Sequence, residues 1–282
     1  MQTLEFTDKL YSYSKWRDHL VSTIKMYHDW RKRYDVDNPA TSNTINHILD
    51  SLSHDRVTLA FVAEFSRGKT ELINSLFFSE TGIKLLPSSP GRTTMCPTEI
   101  FFDHSGTNYI KLLDIESRYE ETSFADLKED PSRWRKIYLD IDDPAQMQVA
   151  FKELLATKAV SKEKAQEMGL FNEKEAAELG IVNPESVDIP VWRHAMISFP
   201  HPLLKAGLCI LDTPGLNALG SEPELTLSML PSTQAIIFVL AVDTGVTKSD
   251  MSIWTHHVLS TSNANKQGLA VVLNKIDAVW DE

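Results

Sequence analysis

The sequence predicts an α/β fold with a mostly parallel central sheet flanked by helices. Apolar runs of strand length recur from residue 56 onward, several of them separated by helical stretches, and strands alternating with helices make parallel sheets. Two of the runs end in clusters rich in Asp, Asn and Gly, where a parallel sheet gathers its loops. The third observation is bulk: of 282 residues, 42% are hydrophobic and 24% charged, which is the composition of a soluble chain with a sizeable core.

The elements follow in order. From Leu4 to Tyr34 the pattern is helical, with Trp16, Leu20, Ile24, Tyr27 and Trp30 forming one apolar stripe. A break around Pro39 follows, then a shorter helix carrying Ile45, Ile48, Leu49 and Leu52. These helices precede the first strand, so the chain divides into an N-terminal helical, bundle-like segment, 1–55, and a domain over 56–282. Within the domain, strands are expected at Arg56–Val62, Glu99–Phe102, Tyr109–Leu113, Ala195–Phe199, Leu208–Leu211, Ala235–Val242 and Leu269–Leu273. Helices are expected from Lys69, over Pro223–Met229 and over Lys248–Leu259. A stretch at about 116–190, rich in Glu, Lys and Ala, reads as a helical insertion. Asp143 caps one of its helices, Pro144 opens it, and Met147, Phe151, Leu154 and Leu155 share a face.

Charge and cysteine content narrow the function classes. With 39 acidic against 28 basic residues the net charge is −11, which argues against nucleic-acid partners, since phosphate binding needs Lys and Arg. The short basic run Arg31-Lys32-Arg33 reads as a solvated helix face. Cys96 and Cys209 lack metal-ligand spacing and read as reduced thiols. No basic-then-apolar leader opens the sequence, and the run Ala235–Val242 falls short of the ~20 apolar residues that span a bilayer. A cytoplasmic protein, or one peripheral to a membrane, is expected.

The chemistry lies in three ordered motifs. Ala63 to Thr70 reads A-x-x-x-x-G-K-T between a strand and a helix. In such a P-loop the backbone N–H groups of Glu64, Phe65, Ser66, Arg67 and Gly68 surround phosphate at a helix N-terminus. Lys69 reaches the β- and γ-phosphates, and the Thr70 hydroxyl binds Mg²⁺. Ala63 replaces the usual first glycine, so its backbone must tolerate a Cβ. Next, "CILDTPGL" places Asp212 at a strand end where it can hold the Mg²⁺ water shell, and Gly215 where its N–H can meet a γ-phosphate. Last, "AVVLNKID" ends a strand in Asn274, Lys275 and Asp277. The Asp277 carboxylate can accept from both N1–H and the N2 amino group of guanine, whereas adenine offers no N1–H. Between the first two motifs, "LLPSSPGRTTMCPTEI" supplies a loop threonine for Mg²⁺, with Thr94 preferred over Thr93 and Thr98 third. Together these predict a P-loop GTPase fold, with GTP as substrate and Mg²⁺ as cofactor.

The segments "AEFSRGKTELINSLF", "LLPSSPGRTTMCPTEI", "LDTPGLN" and "LNKID", with the long separation of Thr70 from Asp212, resemble the dynamin superfamily, particularly its bacterial dynamin-like and mitofusin-like branches. The resemblance covers roughly 56–282 apart from most of the insertion. It implies GTP hydrolysis, self-association through the GTPase domain, membrane remodelling through regions outside this chain, and a relay bundle similar to the N-terminal helices. Ser66 matches the P-loop serine that helps place a charge-compensating ion, whereas Phe65 stands where eukaryotic dynamins place a catalytic Gln. Leu216 follows the DTPG, so no Gln orients water there, and Arg67 or Arg92 could lend positive charge to the transition state. The expected catalytic set is therefore Ser66, Arg67, Lys69 and Thr94, with Thr70, Thr94 and Asp212 at the metal. The competing readings are a GTP-regulated assembly module with little hydrolysis and a ribosome-associated GTPase. The sequence stops soon after Asp277, so the base-closing loop, a final helix and any stalk or lipid-binding element are expected to lie outside it.

Overall fold

The computed structural model of the chain describes residues 2–34, 36, 41, 42, 44, 45, 48, 49, 52, 56–79, 86, 87, 96–120, 122–173, 176, 185–215, 225, 228–259 and 268–279. It opens with α1 (Gln2–Arg33). The domain then runs β1 (Val57–Val62), α2 (Lys69–Phe77), β2 (Thr98–Phe101), β3 (Tyr109–Asp114), α3 (Phe124–Glu129), β4 (Trp134–Tyr138) and α4 (Pro144–Lys152). It continues through β5 (Thr157–Ser161), α5 (Lys162–Glu167), β6 (Ser186–Pro190), β7 (Trp192–Ser198), α6 (Pro202–Lys205), β8 (Leu208–Asp212), β9 (Ala235–Ala241), α7 (Lys248–Ile253) and β10 (Gly268–Asn274).

The main sheet has the order β10-β9-β1-β8-β2-β7-β3-β4. Its first four strands pair in parallel, as the alternation of strands and helices predicts. Antiparallel pairing enters at β2–β8 and continues through β7–β3–β4, while β2–β7 is parallel. Because the four motif-side strands run the same way, their C-terminal ends share one edge. Phe61 lies opposite Asp212, and Ala241 opposite Asn274. That edge is where ligands bind in open parallel sheets.

The core on one side of the sheet centres on Phe61, Ile73, Phe77, Ile100, Leu112, Ile197 and Ile210, and a second cluster holds Ala60, Val62, Leu211, Ile236 and Phe238. The strand β1, VTLAFV, thus sends alternate side chains into both layers, as a period-2 element buried on both faces must. Cys96 and Cys209 are buried and not joined in a disulfide, and burial pushes the Cys209 thiol up to about 12.

Two expectations need correction. The stretch 116–190 is mixed rather than helical. Its β4 extends the main sheet beside β3, and β5 and β6 form a separate antiparallel pair. This pair shares a small core with Ile115, Met168, Leu170 and Phe171. Each of these strands is five residues long; β4 buries only Trp134 outright and β5 buries no residue outright, so their period-2 signal is weak and is submerged in a Glu- and Lys-rich composition. Helix α4 does appear as expected, with Asp143 accepting from the Ala145 and Gln146 N–H groups and Met147, Phe151 and Leu154 buried.

The α1 stripe is the second correction. The helix turns Leu10, Arg17 and His28 inward, with Leu20 and Ile24 half-buried, while Trp16 (57%), Tyr27 (49%) and Trp30 (50%) are exposed. Leu10 joins the main core, and this contact sets which face turns inward. The expected stripe is therefore split along its length. The residues of 41–52 that are described are helical, with Ile45 buried. Beyond α7, Trp254–Leu259 continues as π-helix. Most of the expected helix Pro223–Met229 lies outside the described residues; Leu225, Ser228 and Met229 are helical.

A polar cluster lies beneath α3. Glu99 of β2 is 7% exposed. It receives Lys128 at 2.5 Å and stands 3.2 Å from His194 Nε2. Burial works to raise the Glu99 carboxyl, but the His194 ring and the Lys128 ammonium overcome it and pull it down to about 2. A carboxyl depressed on folding stabilises the native state above its ordinary value of 4.5 and loses that contribution as pH falls toward 2. The depression is equivalent to about 3 kcal/mol. Glu99→Gln is accordingly expected to flatten the fall in stability between pH 4.5 and 2, measured by urea melts across that window; an unchanged slope would remove Glu99 from the acid response.

Candidate functional site

The P-loop leaves β1 at Val62 and enters α2 at Lys69. Ala63 is fully buried and has no positive φ, which is why a Cβ is tolerated there. The turn is made further along, by Ser66 at φ 65° and Gly68 at φ 79°. Gly68 is demanded twice over. Its φ is left-handed, and a Cβ there would sit 2.5 Å from Asn274 Nδ2. Helix α2 is anchored by Ile73 and by Phe77, whose ring meets Phe61 edge-on at 6.3 Å. Its first residues, Lys69 and Thr70, are thereby held at the strand edge, both buried.

Asp212, fully buried at the end of β8, receives the Lys69 ammonium and lies 3.4 Å from the Thr70 hydroxyl. Behind it, the Thr213 hydroxyl donates to the Phe61 carbonyl at 2.7 Å and ties the DTPG loop to β1. Gly215 packs so close to the P-loop that a Cβ would stand 2.9 Å from Phe65 Cα. The donor set suits Mg²⁺, being one carboxylate and one hydroxyl, hard oxygens beside a phosphate-binding loop. Among the described residues no cluster of three or more His, Cys, Asp or Glu could hold a metal ion.

At the other end, Asn274 terminates β10 and its side-chain amide donates to the Arg67 carbonyl at 2.9 Å. Lys275 adopts φ 57° and pairs with Asp243 at 2.8 Å; the hydrogen bond from Lys275 holds the Asp243 carboxyl below its usual range. Asp277 lies exposed in a short 3₁₀ turn, Ile276–Val279. The P-loop and the end of β10 are thus in direct contact.

Other expected residues fare differently. Phe65 and Ser66 are exposed on the loop. Thr98 is buried in β2, donating to the Cys96 carbonyl at 3.3 Å. Thr94, Thr93, Arg92 and Leu216 lie outside the described residues. Arg67, expected to lend charge to the transition state, is instead committed sideways. Its guanidinium is bound by Asp250, Glu64, Thr244 and Thr247. Four participants were not singled out in the sequence. Asn74 brackets Leu86 with two hydrogen bonds, at 2.8 and 2.9 Å, at the start of the loop leading to Thr94. Thr247 and Asp250 form a capping box on α7, a spacing readable as T-x-x-D. Asp243 carries no local signal.

The sequence matches the model of the dynamin family over residues 59–276. A curated relative, dynamin-like protein A of Bacillus subtilis (strain 168), is 23% identical over 247 residues, covering 82% of this chain and 20% of that protein. The chain thus spans about a fifth of that relative's length. Two solved chains from work on an oligomerised bacterial dynamin pair, described as a mechanism for long-range sensing and tethering of membranes, are also similar. One has a TM-score of 0.41 at 17% identity, covering 86% of this chain and 30% of the other. The second has a TM-score of 0.45 at 18% identity, with 96% and 34% covered.

Proposed function

The chain belongs to the dynamin family, and from that premise we propose that it binds GTP with Mg²⁺ and hydrolyses it to GDP and phosphate. The observation that carries this reading is the convergence of Lys69, Thr70 and Asp212 in one buried cluster, with Asn274 bonded to the same loop. In the reading, the N–H groups from Glu64 to Gly68 and the start of α2 hold the phosphates. Lys69 neutralises developing charge, and Ser66 helps place a compensating ion. Thr70, Asp212 and Thr94 hold Mg²⁺, which supplies Lewis-acid polarisation of the phosphoryl oxygens when bound. Gly215 meets the γ-phosphate, and Asn274, Lys275 and Asp277 select guanine. Catalysis is then positioning and electrostatic stabilisation of an in-line attack by water.

The reading keeps residues 1–55 as a helical segment and 56–282 as the GTPase domain. Pairing of two such domains and membrane remodelling through regions outside this chain are proposed with it, on family membership alone. Among the described residues no helix is long and apolar enough to cross a membrane. No nucleic-acid partner is proposed, in keeping with the net charge of −11.

Steady-state phosphate release tests this directly. Turnover that rises with protein concentration, or with anionic liposomes, is expected, and ATP at equal concentration should not displace GTP. ATP competing on equal terms, or no release at any concentration, would overturn the hydrolase. Phe65, 38% exposed and unable to orient water, favours a second reading, a GTP-regulated assembly module with little hydrolysis. That reading predicts nucleotide-dependent association without release.

A further inference from the structure

Arg67 sits between two left-handed residues, Ser66 and Gly68. Such backbone persists only where the surroundings over-determine it, and the hydrogen bonds of Arg67 show how. Its carbonyl accepts from Asn274, at the end of β10. Its guanidinium, with the residue 4% exposed, forks onto Asp250 through Nε at 3.3 Å and Nη2 at 2.7 Å. Asp250 is fully buried and is also the capping-box carboxylate of α7, accepting from the Thr247 N–H at 2.9 Å. Thr247 in turn donates to Glu64 at 3.0 Å, and Glu64 returns to Arg67. One residue therefore fastens the phosphate loop to two other loops, by its main chain to the base-reading end of β10 and by its side chain to the start of α7.

We propose that Arg67 is a positioning residue, a latch whose bidentate pair with Asp250 holds the P-loop and the β9–α7 connection as one unit, while its carbonyl ties the same loop to Asn274. This goes beyond the GTPase reading but rests on it for its effect on nucleotide. The fork is what matters. A lysine would carry the charge but cannot bridge both carboxylate oxygens while also reaching Glu64 and the two threonines. The guanidinium also offsets two carboxylates beside a loop that must receive polyanionic phosphate. Its loss leaves Glu64 and Asp250 uncompensated there.

The test uses the full chain in two arms. In nucleotide-free protein, hydrogen exchange followed by mass spectrometry is expected to rise together in segments 64–70 and 244–250 on Arg67→Met and on Arg67→Lys. Exchange that rises in neither segment, or in the P-loop alone, overturns the latch, and this arm does not depend on what nucleotide the protein binds. In the second arm, Arg67→Met and Asp250→Asn are each expected to weaken binding of a fluorescent GTP analogue at least tenfold. The double variant should be no weaker than Arg67→Met alone, because both changes break one interaction. Losses that multiply, or faster turnover in Asp250→Asn, would place the guanidinium on the phosphates and overturn the proposal. Wild-type protein that fails to bind GTP removes the GTPase reading and leaves the exchange arm to decide the latch.

Discussion

Lys69→Ala is expected to lower kcat/KM for GTP by at least about a hundredfold, the size of effect seen when one preorganised charge is removed from a site that stabilises a transition state. Lys69 is 8% exposed and its ammonium is bound to Asp212, which is fully buried. The substitution therefore does two things. It removes the cation that would meet the phosphates, and it strands a buried carboxylate, at a cost of about 3–5 kcal/mol. The second effect alone could unfold a chain of ordinary stability, so loss of activity must be separated from loss of fold. Lys69→Ala combined with Asp212→Asn separates them. The double variant is expected to regain most of the thermal stability lost by Lys69→Ala, because no unpaired charge is left inside, while remaining inactive. Phosphate release by folded Lys69→Ala at the wild-type rate would take Lys69 out of the reaction and remove the main support for hydrolysis at this edge.

That cluster also shows which parts of the molecule a sequence can express. The G-K-T motif was readable as part of a phosphate-binding loop, but not that its Gly68 takes a left-handed φ. Nothing local revealed that the Gly68 Cβ position is blocked by Asn274, more than two hundred residues later in the chain. Ala63 was readable as a departure, and the structure explains it, because the turn is displaced to Ser66 and Gly68. Strands β8 and β9 were legible because their apolar runs are buried on both faces, and the edge strand β10 was legible from its apolar run alone, its side chains being exposed or half-buried. Strands β4, β5 and β6 were not, since each is only five residues long, β4 buries Trp134 alone outright and β5 buries no residue outright. Arg67 marks the limit most clearly. Composition and position made it a candidate for phosphate, while its actual partners, Thr244, Thr247 and Asp250, arrive by topology through the β9–α7 connection.

Asp277→Asn is expected to convert the base preference from guanine to xanthine. A carboxylate presents two acceptors, and guanine's N1–H and N2 amino group are both donors, so two charge-assisted hydrogen bonds are at stake. At about 1.5–3 kcal/mol each, their loss should weaken GTP by roughly a hundredfold or more. An amide keeps one acceptor for N1–H and turns one donor toward position 2, where guanine also has a donor and xanthine a carbonyl oxygen. The variant should therefore bind XTP more tightly than GTP, whereas the wild type should do the reverse. Folding should be little affected, because Asp277 is exposed in the 3₁₀ turn after β10. Equilibrium competition of XTP, GTP and ATP against one fluorescent nucleotide reads all three preferences in a single assay. An unchanged order in Asp277→Asn would show that base choice is made elsewhere. The Asn274 bond to the Arg67 carbonyl would then serve only to hold the P-loop, with no part in reading what the loop's far end has bound.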